Sequence, residues 1–130
     1  MIVDSSAILA VLFNGPDAAI YATAIANAPS CRISAANYVE TAVVVEWQNP
    51  AAGSRQFDTF MRRAGIAIEP VTEEQAQFAR QAYSDFGKGR HPAGLNFGDC
   101  FSYALAKAYR EPLLFKGNDF SRTDVQVALA

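Results

Sequence analysis

Histidine and cysteine are scarce in this sequence, which has one histidine, His91, and two cysteines, Cys31 and Cys100. A single histidine excludes an active site that pairs two histidines of one chain as general acid and general base. The cysteines have no C-x-x-C spacing and no second histidine near them, so the sequence indicates neither a zinc site nor a disulfide framework. We therefore expect both thiols to be reduced and to lie in the core.

Several common signatures are also missing. The sequence has no G-x-x-x-x-G-K-[ST] loop, no G-x-G-x-x-G turn and no G-x-S-x-G elbow, which removes the usual nucleotide-binding and serine-hydrolase motifs. No apolar run approaches the roughly 20 residues that span a bilayer, and no positively charged segment precedes the first apolar residues. We expect a cytoplasmic protein without a membrane segment.

The composition is that of an ordinary folded domain. The chain has 130 residues, of which 51% are hydrophobic and 18% are charged, and this is enough to bury a core without disulfides or metals. We predict a single domain over residues 1–130. The formal net charge of −2 argues against capture of nucleic acid by the whole surface but is compatible with a local basic patch.

Short apolar segments alternate with helical patterns along the chain. Such alternation favours parallel strands with helices on both faces, which predicts an α/β fold: a three-layer α/β/α sandwich with a mainly parallel central sheet. The predicted strands are residues 1–3, 31–34, 66–71, 112–115 and, at one edge of the sheet, 125–129. The predicted helices are residues 5–13, 18–28, about 35–47, about 51–64, 73–86 and 97–109.

Polar residues that suit capping precede several of these helices. Ser5 or Ser6 is the predicted N-cap of the first helix, and Asn96 is that of the last. Thr72 with Gln75 three residues later has the pattern of a capping box.

Two aspartates follow predicted strands. Asp4 comes directly after the first strand, and Asp119 follows the strand at residues 112–115. The carboxyl ends of parallel strands form the edge of the sheet where ligand sites collect. Both residues are also ordinary turn or N-cap residues, so position alone leaves the structural role open.

Glu40 lies in a helix among apolar residues. Its helical neighbours Val43, Val44 and Trp47 place it on an apolar face. Burial of a carboxylate there costs several kcal/mol unless a positive or hydrogen-bonding group meets it. Solvent exposure is the alternative, and we expect Glu46 to be the ordinary exposed glutamate of this helix.

Asp99 is in the first turn of the last helix, near the positive end of the helix dipole and three residues after Asn96. Capping alone accounts for an aspartate at this position. The neighbouring Gly98 lowers helix propensity by about 1 kcal/mol relative to alanine, which makes sense if the backbone must leave space for another group.

Taken together, these acids predict a metal site. Carboxylates that converge at one edge of a sheet repel one another, and hard oxygen ligands favour Mg²⁺ or Mn²⁺ over zinc. Such ions bind a phosphodiester oxygen and activate water for attack at phosphorus. The predicted chemistry is phosphodiester hydrolysis by a metal-activated water.

Four segments in this order, "MIVDSSAILAVL", "YVETAVVVE", "GLNFGDCFSYALAK" and "PLLFKGNDF", resemble the PIN-domain family, in particular the VapC ribonuclease toxins of bacterial toxin–antitoxin pairs. The resemblance spans nearly the whole chain. It implies a Mg²⁺-dependent endoribonuclease, with Mn²⁺ able to substitute. Its catalytic and metal-binding acids would include Asp4, Glu40 and Asp99, with Ser6 supporting Asp4 by a hydrogen bond.

The fourth acid implied by the resemblance is Asp119. Many members of the family place Asp or Asn two residues after a Thr that ends the strand. This sequence has Phe115 and Gly117 at those positions, and Asp119 is the nearest carboxylate. Its role could be direct, through water, or absent.

The resemblance also implies partners. These are a VapB-type antitoxin made from the neighbouring gene, a homodimer, a toxin–antitoxin hetero-oligomer and an RNA substrate. Apolar residues of the first two helices could contact the antitoxin, although residues of this type more often belong to the core. They are Leu12, Phe13, Ile20 and Tyr21.

The RNA-binding residues are expected in the loop "GKGRHPAG", next to the helix that carries Asp99. Basic side chains there could contact RNA phosphates, although loops are polar in any case. The residues that we assign to RNA binding are Lys88, Arg90, His91 and Lys116, with Arg62 and Arg63 as a further extension.

Two alternatives remain open at this point. One is a catalytically silent binding module that keeps the PIN fold but has lost the chemistry. The other is a receiver-like phosphoacceptor domain, which would need two adjacent acids after the first strand and an aspartate after the central strand. The segment "VDSS" has one acid, and "IAIEP" offers Glu69 instead of aspartate.

Overall fold

The computed structural model describes residues 1–129. A four-stranded sheet with the order β3-β2-β1-β4 forms its centre, and each neighbouring pair of strands is parallel. The strands are β1 (Ile2–Val3), β2 (Arg32–Ser34), β3 (Ala67–Glu69) and β4 (Leu113–Leu114).

Helices connect the strands and cover both faces of the sheet. They are α1 (Ser5–Leu12), α2 (Ala18–Asn27), α3 (Ala35–Gln48), α4 (Gly53–Ala64), α5 (Glu73–Phe86) and α6 (Phe97–Tyr109), and a 3₁₀ turn follows at Phe120–Arg122.

The two faces of the sheet each have their own core. Successive residues of a strand point to opposite faces, so Ile2 and Leu113 pack in the core with α5 and α6, whereas Val3 and Leu114 pack in the core with residues of α1 to α4. All four of these side chains are fully buried. The predicted three-layer α/β/α sandwich is therefore confirmed.

The predicted edge strand at 125–129 is wrong. Only one residue of this segment, Val127, forms a parallel bridge, and its partner is Leu113. The reason is the length of β4. The amide and carbonyl of Leu113 face outward and bond Gln126 O and Ala128 N, whereas the carbonyls of Pro112 and Leu114 accept from β1 and the residue after it. β4 therefore offers hydrogen bonds for a single bridge.

The first helix is capped by Asp4, not by Ser5 or Ser6 as predicted. Asp4 has extended backbone dihedrals, and its carboxylate accepts the amide hydrogen of Ser6. Thr72 caps α5 by accepting from the amide of Gln75. Among the described residues, no helix has the length and apolar character needed to cross a membrane.

Both cysteines are in the core. Cys31 and Cys100 are buried and free, one in each of the two cores. The prediction that both cysteines lie in the core is confirmed.

Candidate active site

The Asp4 side chain lies at the carboxyl end of β1 and is 4% exposed. Its Oδ2 accepts from the backbone amide of Ser6 at 3.0 Å and from Ser6 Oγ at 2.7 Å, and its Oδ1 accepts from Ser102 Oγ at 2.5 Å. Asp4 can therefore cap α1 and belong to the candidate active site at the same time, because Oδ2 caps α1 while Oδ1 faces α6. Ser6 thus contacts Asp4 through both its backbone amide and its hydroxyl.

Glu40 is held by residues of two helices. Its Oε1 accepts from Ser5 Oγ at 2.6 Å and from Asn37 Nδ2 at 3.2 Å. These are neutral donors, so the carboxylate is oriented without being neutralised.

The predicted apolar face around Glu40 is not the buried face of α3. Val43 is 61% exposed and Trp47 is 83% exposed, whereas the buried residues of the helix are Asn37, Thr41 and Val45. Glu46 is exposed, as predicted. The helix is turned so that its polar residues face the sheet edge and α6.

Gly98 allows α3 and α6 to approach each other at Glu40. A Cβ atom built on Gly98 would lie 2.0 Å from Glu40 Oε2 and 2.7 Å from Glu40 Cδ. The space that the glycine leaves is therefore filled by the Glu40 carboxylate. This explains why the first turn of α6 contains a residue of low helix propensity.

Asp99 lies beside Asp119 and near Asp4. It also completes a capping box with Asn96, because each residue's side chain accepts the other's backbone amide. Burial raises the pKa of Asp99 to about 7, and the charges of Asp4 and Asp119 act in the same direction. Burial also raises the pKa of Asp4, to which the charge of Glu40 adds.

These raised pKa values predict how stability depends on pH when no divalent cation is present. The ordinary pKa of Asp99 is 3.8, so between about pH 4 and pH 7 the folded protein binds a proton that the unfolded chain does not. The free energy of unfolding should therefore fall as the pH rises through this window, and Asp4 adds to the fall.

The measurement is the thermal midpoint of wild type and of Asp99→Asn from pH 4.5 to pH 8 in EDTA. The wild-type midpoint should decrease more steeply with pH than that of the variant, and excess Mg²⁺ should reduce the difference. Parallel curves for the two proteins would contradict the raised pKa of Asp99.

The four acids act on one another through their charges, and no basic group of residues 1–129 forms an ion pair with them. Asp4 interacts with Glu40 and Asp99, and Asp99 interacts with Asp119. In the described part of the chain, none of the ion pairs formed by lysine, arginine or the terminal amine includes any of these four carboxylates.

This donor set fits a hard divalent cation in its chemistry. Carboxylate oxygens with neutral hydroxyls behind them are the ligands that Mg²⁺ and Mn²⁺ prefer. Between Met1 and Leu129, however, no three His, Cys, Asp or Glu side chains are arranged so that they could hold a metal ion as they stand. Binding of a cation would require the acids to move closer together.

The predicted RNA-binding residues differ in how free their side chains are. Lys88 and Arg90 are exposed in the loop between α5 and α6, next to the end of α6 that carries Asp99. The Lys116 ammonium pairs with Asp17 at 3.2 Å, although its backbone amide donates to Ser6 Oγ.

His91 stabilises the loop in which it lies. Its Nδ1 accepts from the amide of Ala93 at 3.0 Å, and its ring packs edge-on against Phe86. Only the other ring nitrogen is left for a contact with RNA.

Arg62 and Arg63 are not brought to the acids. They are in the last turn of α4, and β3 begins only a few residues later at Ala67. A helix that leads into a parallel strand ends at the amino-terminal edge of the sheet, opposite to the edge where Asp4 lies. The predicted extension of the basic surface to these arginines is therefore wrong.

Three site residues were missed by the sequence reasoning. Ser5, Asn37 and Ser102 are 5%, 0% and 1% exposed and contact the acids directly. The available signal was helical spacing, since Asn37 precedes Glu40 by three residues and Ser102 follows Asp99 by three.

A wide concavity lies away from the acids. It is a groove of about 870 Å³ between α2 and α4, with Ile25 and Phe60 in its lining and Arg55 and Arg63 beside them. None of the four acids lines it. The acids at the sheet edge and this groove are therefore separate sites on the molecule.

Comparisons with known proteins return similar chains over nearly the full length. A family model described as the PIN domain matches residues 1–126. Ribonuclease VapC28 of Mycobacterium tuberculosis (strain ATCC 25618 / H37Rv) is 58% identical over 130 residues, which cover 99% of this chain and 98% of that protein.

Two solved structures have the same fold. VapC20 of Mycobacterium tuberculosis, described as a sarcin-ricin loop cleaving toxin, matches with a TM-score of 0.76 and 16% identity over 95% of each chain. VapBC2 from Rickettsia felis, bound to a DNA fragment from its promoter, matches with a TM-score of 0.74 and 12% identity over 97% of this chain and 94% of that one.

Proposed function

This chain belongs to the PIN domain family, and from that premise we propose that it is a metal-dependent endoribonuclease that acts as the toxin of a toxin–antitoxin pair. The observation that supports this activity most directly is the row of four acids at the sheet edge, which lacks a positive partner among the described residues. The receiver-like alternative is wrong, because the family match spans the fold. The proposed protein is one PIN-like domain.

We propose that Asp4, Glu40, Asp99 and Asp119 hold the cation, which is Mg²⁺ with Mn²⁺ able to substitute. When bound, such an ion activates water and offsets negative charge on the phosphodiester in the transition state. The buried acids need that compensation, since burial and mutual repulsion already raise the pKa of Asp4 and Asp99.

The chain's own neutral side chains orient the acids for this role. Ser6 Oγ donates to Asp4 Oδ2 and accepts from the amide of Lys116. It therefore links the carboxyl ends of β1 and β4. Ser5 orients Glu40 from the first turn of α1.

RNA is the proposed substrate, with Lys88 and Arg90 as its phosphate contacts. Both side chains are exposed on the loop that leads into α6, the helix that carries Asp99, where they would meet the phosphates of an RNA backbone that approaches the acids. The name of VapC28 and the description of VapC20 support RNA as the substrate class. Single-stranded loops of structured RNA are the proposed targets, because their phosphates and bases are accessible.

Assembly with a VapB-type antitoxin and with a second copy of the chain is also proposed. Val39, Val43 and Trp47 form an exposed apolar stripe on α3, at 57%, 61% and 83% exposure, and Phe97 on α6 is 79% exposed. Large exposed apolar surfaces are typical of protein interfaces. Of the first two helices, Phe13 and Ile20 are exposed, whereas Leu12 and Tyr21 are partly buried against the core. The proposed location is the cytoplasm.

The function is tested by incubating purified protein with a mixed pool of structured RNA. We expect cleavage with Mg²⁺ or Mn²⁺ and none with EDTA, and readdition of the ion should restore activity. Cleavage that continues in EDTA would overturn the metal dependence. Binding of RNA without turnover, in the presence of either ion, would favour the catalytically silent module.

A further inference from the structure

Asn37 is a buried side chain that connects two of the elements bearing the acids. It lies on α3 and is 0% exposed. Its Nδ2 donates to Glu40 Oε1 at 3.2 Å and to the backbone carbonyl of Gly98 at 2.9 Å, and its Oδ1 lies 3.0 Å from Ser102 Oγ. The Asn37 amide group therefore joins Glu40 to two residues in the first turns of α6, Gly98 and Ser102.

The orientation of this amide is set by its partners. Both groups facing Nδ2 are acceptors, a carboxylate and a carbonyl. The group facing Oδ1 is the Ser102 hydroxyl, whose single proton is shared between Asn37 Oδ1 and Asp4 Oδ1. A reversed amide would place its oxygen against two acceptors. Because Asn37 is fully buried, water could not satisfy these groups. The buried polar atoms would stay unpaired, which would lower the stability of the fold.

Ser102 extends the connection to a second acid, Asp4. Its hydroxyl faces Asp4 Oδ1 at 2.5 Å as well as Asn37 Oδ1. Asp4, Ser102, Asn37 and Glu40 thus form a continuous polar chain between the end of β1, α6 and α3. Gly98 closes the arrangement, because its carbonyl accepts from Asn37 while its missing side chain makes room for Glu40.

We propose that Asn37 and Ser102 are a positioning pair, which sets the distance between Glu40 and the acids Asp4 and Asp99 and thereby the affinity of the site for a divalent cation. The proposal rests on the proposed function for its metal, but the pair acts on the carboxylates whether or not RNA is cleaved. Outer residues of this kind change metal affinity or activity by about 10–100-fold when they are replaced.

Asn37→Ala and Ser102→Ala test the pair, with Thr41→Val as the matched control. Thr41 is equally buried on α3, and its hydroxyl bonds the backbone carbonyl of Asn37 without touching an acid. Each variant loses buried hydrogen bonding and some stability. Only the first two should also weaken Mn²⁺ binding, measured by isothermal titration calorimetry on the apo protein, by about 10–100-fold.

Three further readouts separate positioning from general damage. In cleavage assays, kcat should fall by a similar factor while KM for RNA stays within about two-fold, because the pair contacts no substrate. In a Glu40→Gln background, Asn37→Ala should have a much smaller effect on Mn²⁺ affinity. In a crystal structure of Ser102→Ala or Asn37→Ala without metal, the Glu40 carboxylate should have left Ser5 Oγ.

Unchanged Mn²⁺ affinity in a folded Asn37→Ala or Ser102→Ala protein would overturn the proposal, as would an equal loss in Thr41→Val. If Asn37→Ala does not fold, Ser102→Ala decides. If wild type neither binds Mn²⁺ nor cleaves RNA, the proposed function fails, and the crystal structure of the variant still decides the positioning claim through the place of Glu40.

Discussion

Replacement of Asp4 by asparagine should reduce RNA cleavage at least about 100-fold while the fold is retained. The carboxylate sits at the carboxyl end of β1 among the acids, so its charge is available to a cation, and asparagine removes that charge. Asparagine is as good an N-cap as aspartate, because its carbonyl can still accept from Ser6. Its NH2 group would then face Ser102 Oγ, a hydroxyl that can accept as well as donate. Because burial raises the pKa of Asp4, a neutral residue should leave the apo protein at least as stable.

The measurement is a cleavage rate on the RNA pool with Mg²⁺, together with a urea unfolding curve. Asp58→Asn is the matched control, since Asp58 is an exposed acid on α4 and its loss should change neither quantity. A rate for Asp4→Asn close to that of wild type would remove Asp4 from the catalytic residues.

Gly98→Ala should lower the rate of RNA cleavage without unfolding the protein. The added methyl group would occupy the position of the Glu40 carboxylate, at 2.0 Å from Oε2. That carboxylate is the end of a flexible side chain, so Glu40 can move away from Ser5 and Asn37 and the backbone can stay. Alanine also gains about 1 kcal/mol of helix propensity, which offsets the cost of the displaced side chain.

The comparison that tests this explanation is a double-mutant cycle with Glu40→Ala. Gly98→Ala alone should lower the cleavage rate by at least about 10-fold, through displacement of a residue that orients the cation. In the Glu40→Ala background the same change should have little further effect, because the obstructed group is gone. A loss of equal size in both backgrounds would show that Gly98 acts in another way, such as contact with the substrate.

The acids could be predicted because their sequence positions carry topological information. Asp4 follows a short apolar segment, and Asp99 is in the first turn of a strongly patterned helix that precedes another strand. In a parallel sheet both places lie at one edge, as the structure shows. Gly98 was informative for a different reason. A glycine lowers the helix propensity of the first turn of α6, so its presence there needs a local explanation.

The environment of Glu40 could not be predicted, because a helix with apolar residues on several sides has no unique buried face. The apolar neighbours Val43 and Trp47 are exposed, and the polar residues Asn37 and Thr41 are buried instead. Their burial depends on hydrogen bonds to residues far away in the chain, Gly98 and Ser102 for Asn37. Helical periodicity reports hydrophobicity but contains no information on such partners.

The order of the strands has a consequence for the time at which activity can arise during synthesis. The central strand β1 is the first to be made, yet Ile2 pairs with Leu113 of β4, and the last acid of the row is Asp119. A chain still emerging from the ribosome therefore lacks both an edge of its sheet and part of its acidic row, and pairing between such distant segments is slow. Newly made toxin should pass through an inert interval, in which an antitoxin could meet the chain before it is able to cut RNA.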